Sequence, residues 1–171
     1  MTRAPHDPRA RRPHGPGDAW VEGPEGRFWG RFGAAGLLLA HPRDGVLLQL
    51  RAEWSHLGGT WGIPGGAVHD EQESAVAAAL REAEEEAGVP AEHVRVLGTS
   101  VLDFGFWSYT TVLARATREV VPVIGDAESL ELRWVDFAEV GTLSLHPGLA
   151  DAWPMLRVRL AELDPELSTA A

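Results

Sequence analysis

The spacing of apolar residues changes along the chain, and each spacing predicts a different element. Residues 33–40 are small or apolar at nearly every position, which predicts a strand buried on both faces. A Pro-Arg-Asp-Gly turn follows, and residues 46–51 give the return strand of a predicted hairpin. Residues 107–112 contain aromatic and β-branched side chains in alternation, as strands do. The remaining predicted strands are 61–66, which runs into a Gly-Gly turn, 94–102, 106–116 and 130–135.

Two longer segments have the apolar spacing of helices. Residues 75–87 include Ala-Val-Ala-Ala-Ala-Leu, which has high helix propensity, and Ser74 is a suitable N-cap. Gly88 is placed to end this helix. Residues 148–163 predict an amphipathic helix near the end of the chain. Strand-rich segments interrupted by one central and one terminal helix predict an α/β fold, specifically an α/β/α sandwich on a mixed β-sheet.

The two ends of the chain differ in composition from its middle. Residues 1–26 are rich in Pro, Arg, Gly and His and lack periodic apolar positions, which predicts a disordered N-terminal tail. We expect the folded domain to span residues 27–165 and a short C-terminal tail to span residues 166–171. A length of 171 residues is enough for one domain with a well-filled core.

Charge and composition exclude several classes of function. The net charge of −10 argues against nucleic acid as a partner. The chain has no Cys, which excludes disulfides and Cys-based zinc sites, and no Lys, which excludes lysine-based catalysis. The longest apolar run, residues 34–40, is too short to span a bilayer. We therefore expect no membrane partner and a cytoplasmic location, while a homodimer remains open.

The end of the central helix carries an unusual density of acidic residues. Residues 81–86 read Arg-Glu-Ala-Glu-Glu-Glu, and a Glu near a helix C-terminus costs about 0.3–1 kcal/mol. Glu82, Glu85 and Glu86 share one face, where like charges cost about 0.2–0.5 kcal/mol per pair. A hard divalent cation, Mg²⁺ or Mn²⁺, would compensate for both costs. The alternative, a solvated acidic face, suits Glu84, which points elsewhere.

Together with the residues before it, this cluster resembles the signature of the Nudix hydrolases, Gly-x5-Glu-x7-Arg-Glu-U-x-Glu-Glu-x-Gly-U, in which U is a bulky apolar residue. The matching positions in this chain are Gly66, Glu73, Arg81, Glu82, Glu85, Glu86, Gly88 and Val89. The chain departs from the pattern twice, because six residues separate Gly66 from Glu73 and because Ala83 is smaller than usual. The additional residue falls in the loop before the helix, where insertions are tolerated.

The resemblance implies a Nudix-type fold and the hydrolysis of a nucleoside diphosphate linked to another moiety. It implies Mg²⁺ as the cofactor, with Mn²⁺ as an alternative, and a nucleotide as the small-molecule substrate. Glu73 and Arg81 would pair and hold the loop against the helix. The metal ligands that the resemblance implies are Glu82, Glu85, Glu86 and the carbonyl oxygen of Gly66.

The general base and the substrate contacts are less determined by the resemblance. Some Nudix enzymes use a Glu of the signature as base, and others use an acidic residue on a loop before a late strand. The candidate catalytic residues are accordingly Glu82, Glu85 and Glu128, of which Glu128 is the first choice for the base and Glu82 the second. The candidate substrate-binding residues are Trp107, Tyr109 and Arg51. Stacking of a nucleobase on an aromatic ring contributes about 1–3 kcal/mol, although aromatic residues on strands more often belong to the core.

Three substrate or function classes remain open at this point. A (d)NTP or an oxidised nucleotide is favoured, because the chain resembles the smaller housekeeping members of the family. A nucleoside diphosphate sugar such as ADP-ribose is the second class. The third is a non-catalytic nucleotide-sensing module, but such domains usually lose the acidic residues of the signature, and this chain retains them.

Overall fold

A computed structural model describes residues 15–167 of the chain. Its strands are β1 (Trp20–Gly23), β2 (Gly26–Trp29), β3 (Ala34–His41), β4 (Gly45–Arg51), β5 (Trp61–Gly62), β6 (Gly65–Ala67), β7 (Val94–Asp103), β8 (Ser108–Ala116) and β9 (Ser129–Val135). Its helices are α1 (Ala75–Ala87), α2 (Phe137–Val140) and α3 (Pro147–Leu163), and short 3-10 turns occupy Ala91–His93 and Pro165–Leu167. No helix within residues 15–167 has the length and apolar content needed to cross a membrane.

The central sheet is mixed. Its main strand order is β5-β4-β3-β8-β7, with β6 paired to β3 and β9 paired to β4. β3 runs parallel to β8 and antiparallel to β4 and β6. β1 and β2 form a separate antiparallel hairpin. Because β6 continues directly into the loop before α1, its pairing with β3 fixes the start of that loop against the centre of the sheet.

Helices cover both faces of this sheet, as the alternation of side chains along β3 requires. Leu37 and Leu39 pack on the side of α1, in a core that also contains its buried Ala83. Leu38 and Ala40 pack on the opposite side, in the core beneath α2 and α3. The predicted α/β/α sandwich is therefore confirmed.

α1 has the bounds that the sequence predicts, because both end signals are used. The hydroxyl oxygen of Ser74 accepts a hydrogen bond from the amide of Ala77 at 3.1 Å. Gly88 adopts a left-handed conformation with φ of 64° and terminates the helix. These two caps fix the register of the acidic cluster relative to the sheet.

The predicted disorder of residues 1–26 is wrong for residues 15–26, which the structure describes. Residues 15–26 include β1, which pairs with β2 from Trp20↔Trp29 to Gly23↔Gly26. The hairpin is held by aromatic packing, because Phe28 stacks on Trp107 with ring centroids 4.4 Å apart. Residues 1–14 lie outside the described part of the chain.

The expected C-terminal tail is also too long. Leu167 is 3% exposed and packs into the core beneath α3. A single apolar residue in a polar segment gives no periodic signal, so the sequence pattern could not place it. Residues 168–171 lie outside the described part of the chain.

Candidate active site

Arg81 joins the loop after β6 to helix α1. Its guanidinium donates two hydrogen bonds to the carboxylate of Glu73, at 2.9 and 3.0 Å, and one to the carbonyl of Ala67 at 3.1 Å. The Arg81 hydrogen bonds are the main cause that lowers the pKa of Glu73, so this carboxyl is ionised at neutral pH. The pairing expected between Glu73 and Arg81 is thus present, and it ties the loop to the helix.

Arg81 also holds Glu82, which lies directly over Gly66. Nη1 of Arg81 is 2.6 Å from Oε1 of Glu82. A Cβ at Gly66 would lie 2.6 and 2.7 Å from the two carboxylate oxygens of Glu82. The absence of a side chain at Gly66 is therefore what allows the Glu82 carboxylate to approach the backbone of β6.

Glu86 is buried at the base of the same site. It is 4% exposed, and Oε2 accepts hydrogen bonds from the amide of Gly65 at 3.0 Å and from the side chain of Gln49 at 3.4 Å. The same Gln49 nitrogen donates to the hydroxyl of Ser129 at 2.7 Å. Burying a charged group is costly unless it is hydrogen-bonded, so these partners allow the Glu86 carboxylate to stay buried.

Glu85 is placed differently from its two neighbours. Its side chain is 62% exposed, and Oε2 lies 3.7 Å from Nη1 of Arg81. Glu85 therefore borders the site from the solvent side, whereas Glu82 and Glu86 point toward β6.

The loop before β9 reaches the site at the end of α1. The amides of Val123 and Gly125 donate to the helix carbonyls of Ala87 and Glu86 at 3.0 and 3.1 Å. Backbone amides, rather than basic side chains, thus satisfy this end of the helix. The same loop continues to Glu128, whose carbonyl accepts from the amide of Ala52 at 2.7 Å. Glu128 therefore lies on a segment that is anchored to both α1 and the end of β4.

The aromatic candidates for substrate binding, Trp107 and Tyr109, lie beside one another, with ring centroids 6.3 Å apart. Trp107 precedes β8, and its indole N–H donates to the carbonyl of Trp29 at 3.1 Å. One face of the Trp107 ring is covered by Phe28. The Tyr109 hydroxyl packs against Gly36, and burial, followed by the charge of Glu86, raises the pKa of this phenol.

Arg51 ends β4 next to the segment that carries Glu128. Its Nε donates to the carbonyl of His56 at 3.0 Å. Burial, followed by the electrostatic effect of Arg51 and then of the nearby His56, lowers the pKa of His146. A positive charge therefore stands at this end of the site in a chain whose net charge is −10.

Glu82, Glu85 and Glu86 carry carboxylate oxygens, which are the type of ligand that a hard divalent cation prefers. Within residues 15–167, no three His, Cys, Asp or Glu side chains are gathered closely enough to hold a metal ion. Glu82 is turned toward Arg81, Glu85 toward solvent and Glu86 toward the amide of Gly65. The feature that fits a metal site is the close approach of the Glu82 carboxylate to the backbone of Gly66, which the missing side chain allows.

Sequence reasoning missed the residues that hold the acidic cluster from outside the signature. Gln49 reaches Glu86 from 37 positions away, and Ser129 reaches Gln49 from 80 positions away. Gln49 was detectable as the one polar residue in an apolar strand segment. Ser129 and the stacking residue Phe28 gave no signal, since their roles depend on the tertiary pairing of β4 with β9 and of the hairpin with Trp107.

Comparison with known proteins is consistent with this geometry. The NUDIX domain profile matches residues 30–157. A Mycobacterium tuberculosis protein named "Putative 8-oxo-dGTP diphosphatase 3" is 51% identical over 154 residues, which cover 84% of this chain and 70% of that protein. The crystal structure of a Nudix hydrolase from M. smegmatis, RenU, is 49% identical with a TM-score of 0.78 and covers 85% of this chain and 96% of that chain.

A more distant structure contains a ligand. The NUDIX domain of Shewanella oneidensis NrtR, solved in complex with ADP ribose, is 25% identical with a TM-score of 0.59. The match covers 78% of this chain and 90% of that chain. Fold, signature and these relatives agree with one another. The chain therefore belongs to the Nudix hydrolase family, as a MutT-like nucleotide pyrophosphohydrolase.

Proposed function

We propose that this protein is a Mg²⁺-dependent pyrophosphohydrolase of nucleoside triphosphates, with an oxidised purine (d)NTP as its preferred substrate. The observation that carries the chemistry is the placement of the Glu82 carboxylate against Gly66, beside the buried Glu86. The substrate class is supported by the 51% identical mycobacterial relative, whose name specifies 8-oxo-dGTP. Nudix enzymes generally depend on divalent cations.

The residues that would hold the cation are Glu82, Glu85, Glu86 and the carbonyl oxygen of Gly66. A divalent cation supplies charge neutralisation of the phosphates and a lowered pKa for the attacking water. Arg81 orients Glu82 through its 2.6 Å contact and stays positively charged, because its hydrogen bonds to Glu73 raise its pKa. The hydrogen bond from Gly65 keeps Glu86 directed at the same strand.

The general base in this proposal is Glu128, with Glu82 as the second candidate. Glu128 precedes Ser129, which is linked through Gln49 to Glu86, so its backbone is fixed relative to the acidic cluster. It is partly exposed, as a base that must meet a water molecule requires. Glu82 is already engaged by Arg81, which favours its role as a ligand.

Arg51, Trp107 and Tyr109 are the proposed substrate contacts. Trp107 has Phe28 on one face, so a base would stack on its other face. The guanidinium of Arg51 is suited to a phosphate. Hydrolysis of a nucleoside diphosphate sugar is the second candidate, because the NUDIX domain of NrtR was solved with ADP ribose.

A substrate panel tests the proposal directly. The full-length protein is incubated at alkaline pH with Mg²⁺ or Mn²⁺ and with oxidised and unmodified (d)NTPs, ADP-ribose and related sugars, and products are identified by mass. We expect an oxidised purine triphosphate to be cleaved to the monophosphate and pyrophosphate, with kcat/KM roughly tenfold or more above that of the unmodified nucleotide. Labelled water then locates the phosphorus that is attacked.

A matched pair of variants tests the role of the cluster. Glu86→Gln keeps the volume and a hydrogen-bond acceptor for Gly65 but removes a charge, so turnover should fall by roughly tenfold or more. Glu84→Gln, on the exposed face of the same helix, should stay within about twofold of the parent. Fastest cleavage of ADP-ribose would favour the second candidate, and a panel without turnover would contradict the proposal.

A further inference from the structure

We infer that the N-terminal strap, residues 15–31, is a positioning element of the active site that fixes the loop between Gly66 and Glu73. The inference rests on the proposed function, since it assigns a role in that reaction. The NUDIX domain profile matches residues 30–157, so most of the strap lies outside the residues that this profile covers. The residue that carries the inference is Gly17.

Gly17 is buried against the backbone of the loop that contains the inserted residue. A Cβ at this position would overlap the carbonyl oxygen of Val68 and would lie 2.8 Å from the carbonyl oxygen of His69. Backbone atoms cannot move aside as a flexible side chain can. At Gly15 the three atoms nearest to a Cβ would all belong to the imidazole ring of His69, a side chain that is exposed and able to rotate. Gly17 is therefore the point at which strap and loop are in direct backbone contact.

Backbone hydrogen bonds join the two ends of the strap to each other. The carbonyl of Gly17 accepts from the amides of Arg31, at 2.8 Å, and Ala19, at 2.9 Å. The carbonyl of Ala19 accepts from the amide of Gly30 at 2.9 Å. The two ends of the strap are thus joined, and Arg31 leads directly into β3, which starts at Ala34. Gly17 is therefore tied to the start of β3, and it can leave the loop only if the bond to Arg31 breaks.

The contact leads directly to the acidic cluster. The amide of His69 donates to Oε2 of Glu73 at 2.6 Å, and Glu73 pairs with Arg81. Arg81 in turn holds Glu82. A displacement of the His69 backbone would therefore change the geometry of the Glu73–Arg81 pair and, through it, the position of a proposed metal ligand.

The opposite side of the strap packs against the connection between β7 and β8. Phe28 stacks on Trp107, and the carbonyl of Trp29 accepts from the Trp107 indole at 3.1 Å. Gly23 lies against the ring of Phe106, where a Cβ would overlap. The strap therefore reaches from the loop between Gly66 and Glu73 to Trp107, a proposed base-stacking residue, and it holds both in one arrangement.

The test is Gly17→Ala in the full chain, with Gly141→Ala as control. Gly141 is exposed, has an ordinary φ of −68°, and a Cβ there would meet nothing within 4 Å. We expect Gly17→Ala to lower kcat by roughly tenfold or more, with KM for the nucleotide changed by less than about threefold. Hydrogen exchange of the His69 amide should accelerate by roughly tenfold or more. Gly141→Ala should match the parent in all three measurements.

The outcomes separate this inference from the proposed function. If the parent cleaves no nucleotide, the proposed function fails, while the exchange rate of His69 still reports whether the strap holds the loop. A folded Gly17→Ala protein with parental kcat or with parental exchange at His69 overturns the inference. If this variant does not fold, exchange in the parent decides. Protection of the Arg31 amide, which bonds Gly17 to the residues leading into β3, supports a strap held beside the loop. Exchange of this amide at open-loop rates overturns the inference.

Discussion

Gly66 shapes the proposed metal site because it has no side chain. Its position admits the Glu82 carboxylate to within contact of β6, and Arg81 closes the arrangement from the other side. The Gly is needed here for close approach rather than for an unusual backbone conformation, since it is not among the positive-φ glycines of residues 15–167. Any side chain would compete with Glu82 for the same space.

A single methyl group should therefore disrupt the site without unfolding the protein. Gly66→Ala places a Cβ about 2.6 Å from a carboxylate oxygen of Glu82, so the carboxylate must turn away. We expect turnover to fall by roughly tenfold or more, measured as kcat/KM with the best substrate of the panel. Gly141→Ala is the control, since a Cβ at this exposed position would meet nothing within 4 Å. Equal activity of the two variants would exclude the proposed role of the Gly66–Glu82 contact.

The acidic residues could be singled out from the sequence because several Glu near a helix C-terminus are energetically unfavourable. Glu82 and Glu86 are unfavourable at a helix C-terminus unless something compensates, and that local cost is visible in the chain itself. Their partners are not visible, because Gln49 on β4 and Ser129 on β9 meet Glu86 only after the strands pair. Contacts between distant elements depend on the register in which the strands pair. The apolar pattern of this sequence did not predict the register of β4 against β9.

The elements themselves were predictable where a strong periodic signal met a clear end signal. α1 begins after Ser74 and ends at Gly88 as expected. The β1–β2 hairpin was not predicted, since its four-residue strands are too short to show alternation. Its stability comes from packing such as that of Phe28 on Trp107, which lies far away in the sequence.

The end of α3 is joined to the sheet by one buried carboxylate. Asp164 has a side chain that is 7% exposed and lies 2.9 Å from Arg95 on β7 and 2.8 Å from Arg115 on β8. Asp164→Asn keeps the acceptor for the amide of Glu166 but removes the charge. We expect this variant to lose about 1–3 kcal/mol in the free energy of unfolding by urea at neutral pH. Glu166→Gln, at a side chain that is 69% exposed, should cost less than about 1 kcal/mol.

The loss of unfolding free energy in Asp164→Asn should become smaller as the pH falls. The hydrogen bond from Arg115 lowers the pKa of Asp164 in the folded state, relative to about 3.9 in an unfolded chain. The charged form thus stabilises the fold at all pH values above the unfolded pKa, and this contribution is lost as the pH falls through the folded pKa. The difference between parent and Asp164→Asn should shrink below about pH 4. A difference that is constant into acid would exclude the ion pairs as its cause.

The whole molecule carries a net charge of −10, and the proposed substrate is also an anion. Long-range repulsion should slow their encounter, except near local positive charge such as that of Arg51. Added salt screens such repulsion over about 10 Å at 0.1 M. We therefore expect kcat/KM, at a fixed free Mg²⁺ concentration, to rise between about 20 and about 200 mM KCl. Choline chloride serves as the control for a specific effect of K⁺, and a fall with both salts would indicate that local attraction dominates.

The architecture could be predicted more completely than the substrate. The continuous apolar run of β3 and the position of α1 are set by burial on both faces of the sheet. Recognition of a particular base depends on a few side chains, such as Trp107, whose neighbours come from the strap and from loops. The same fold therefore serves many substrates, and the sequence pattern that predicts the fold does not select among them.

The two ends of the described chain lie on different sides of the sheet. Gly15 adjoins His69, next to the loop that follows β6, whereas Leu167 is packed beneath α3 in the opposite core. A fluorophore, affinity handle or surface anchor joined directly to Gly15 would thus lie next to His69 in the loop that precedes α1, where it would disturb the kinetics that it is meant to report. Attachment after residue 167 starts from the far layer, which makes that end the suitable one for immobilised assays.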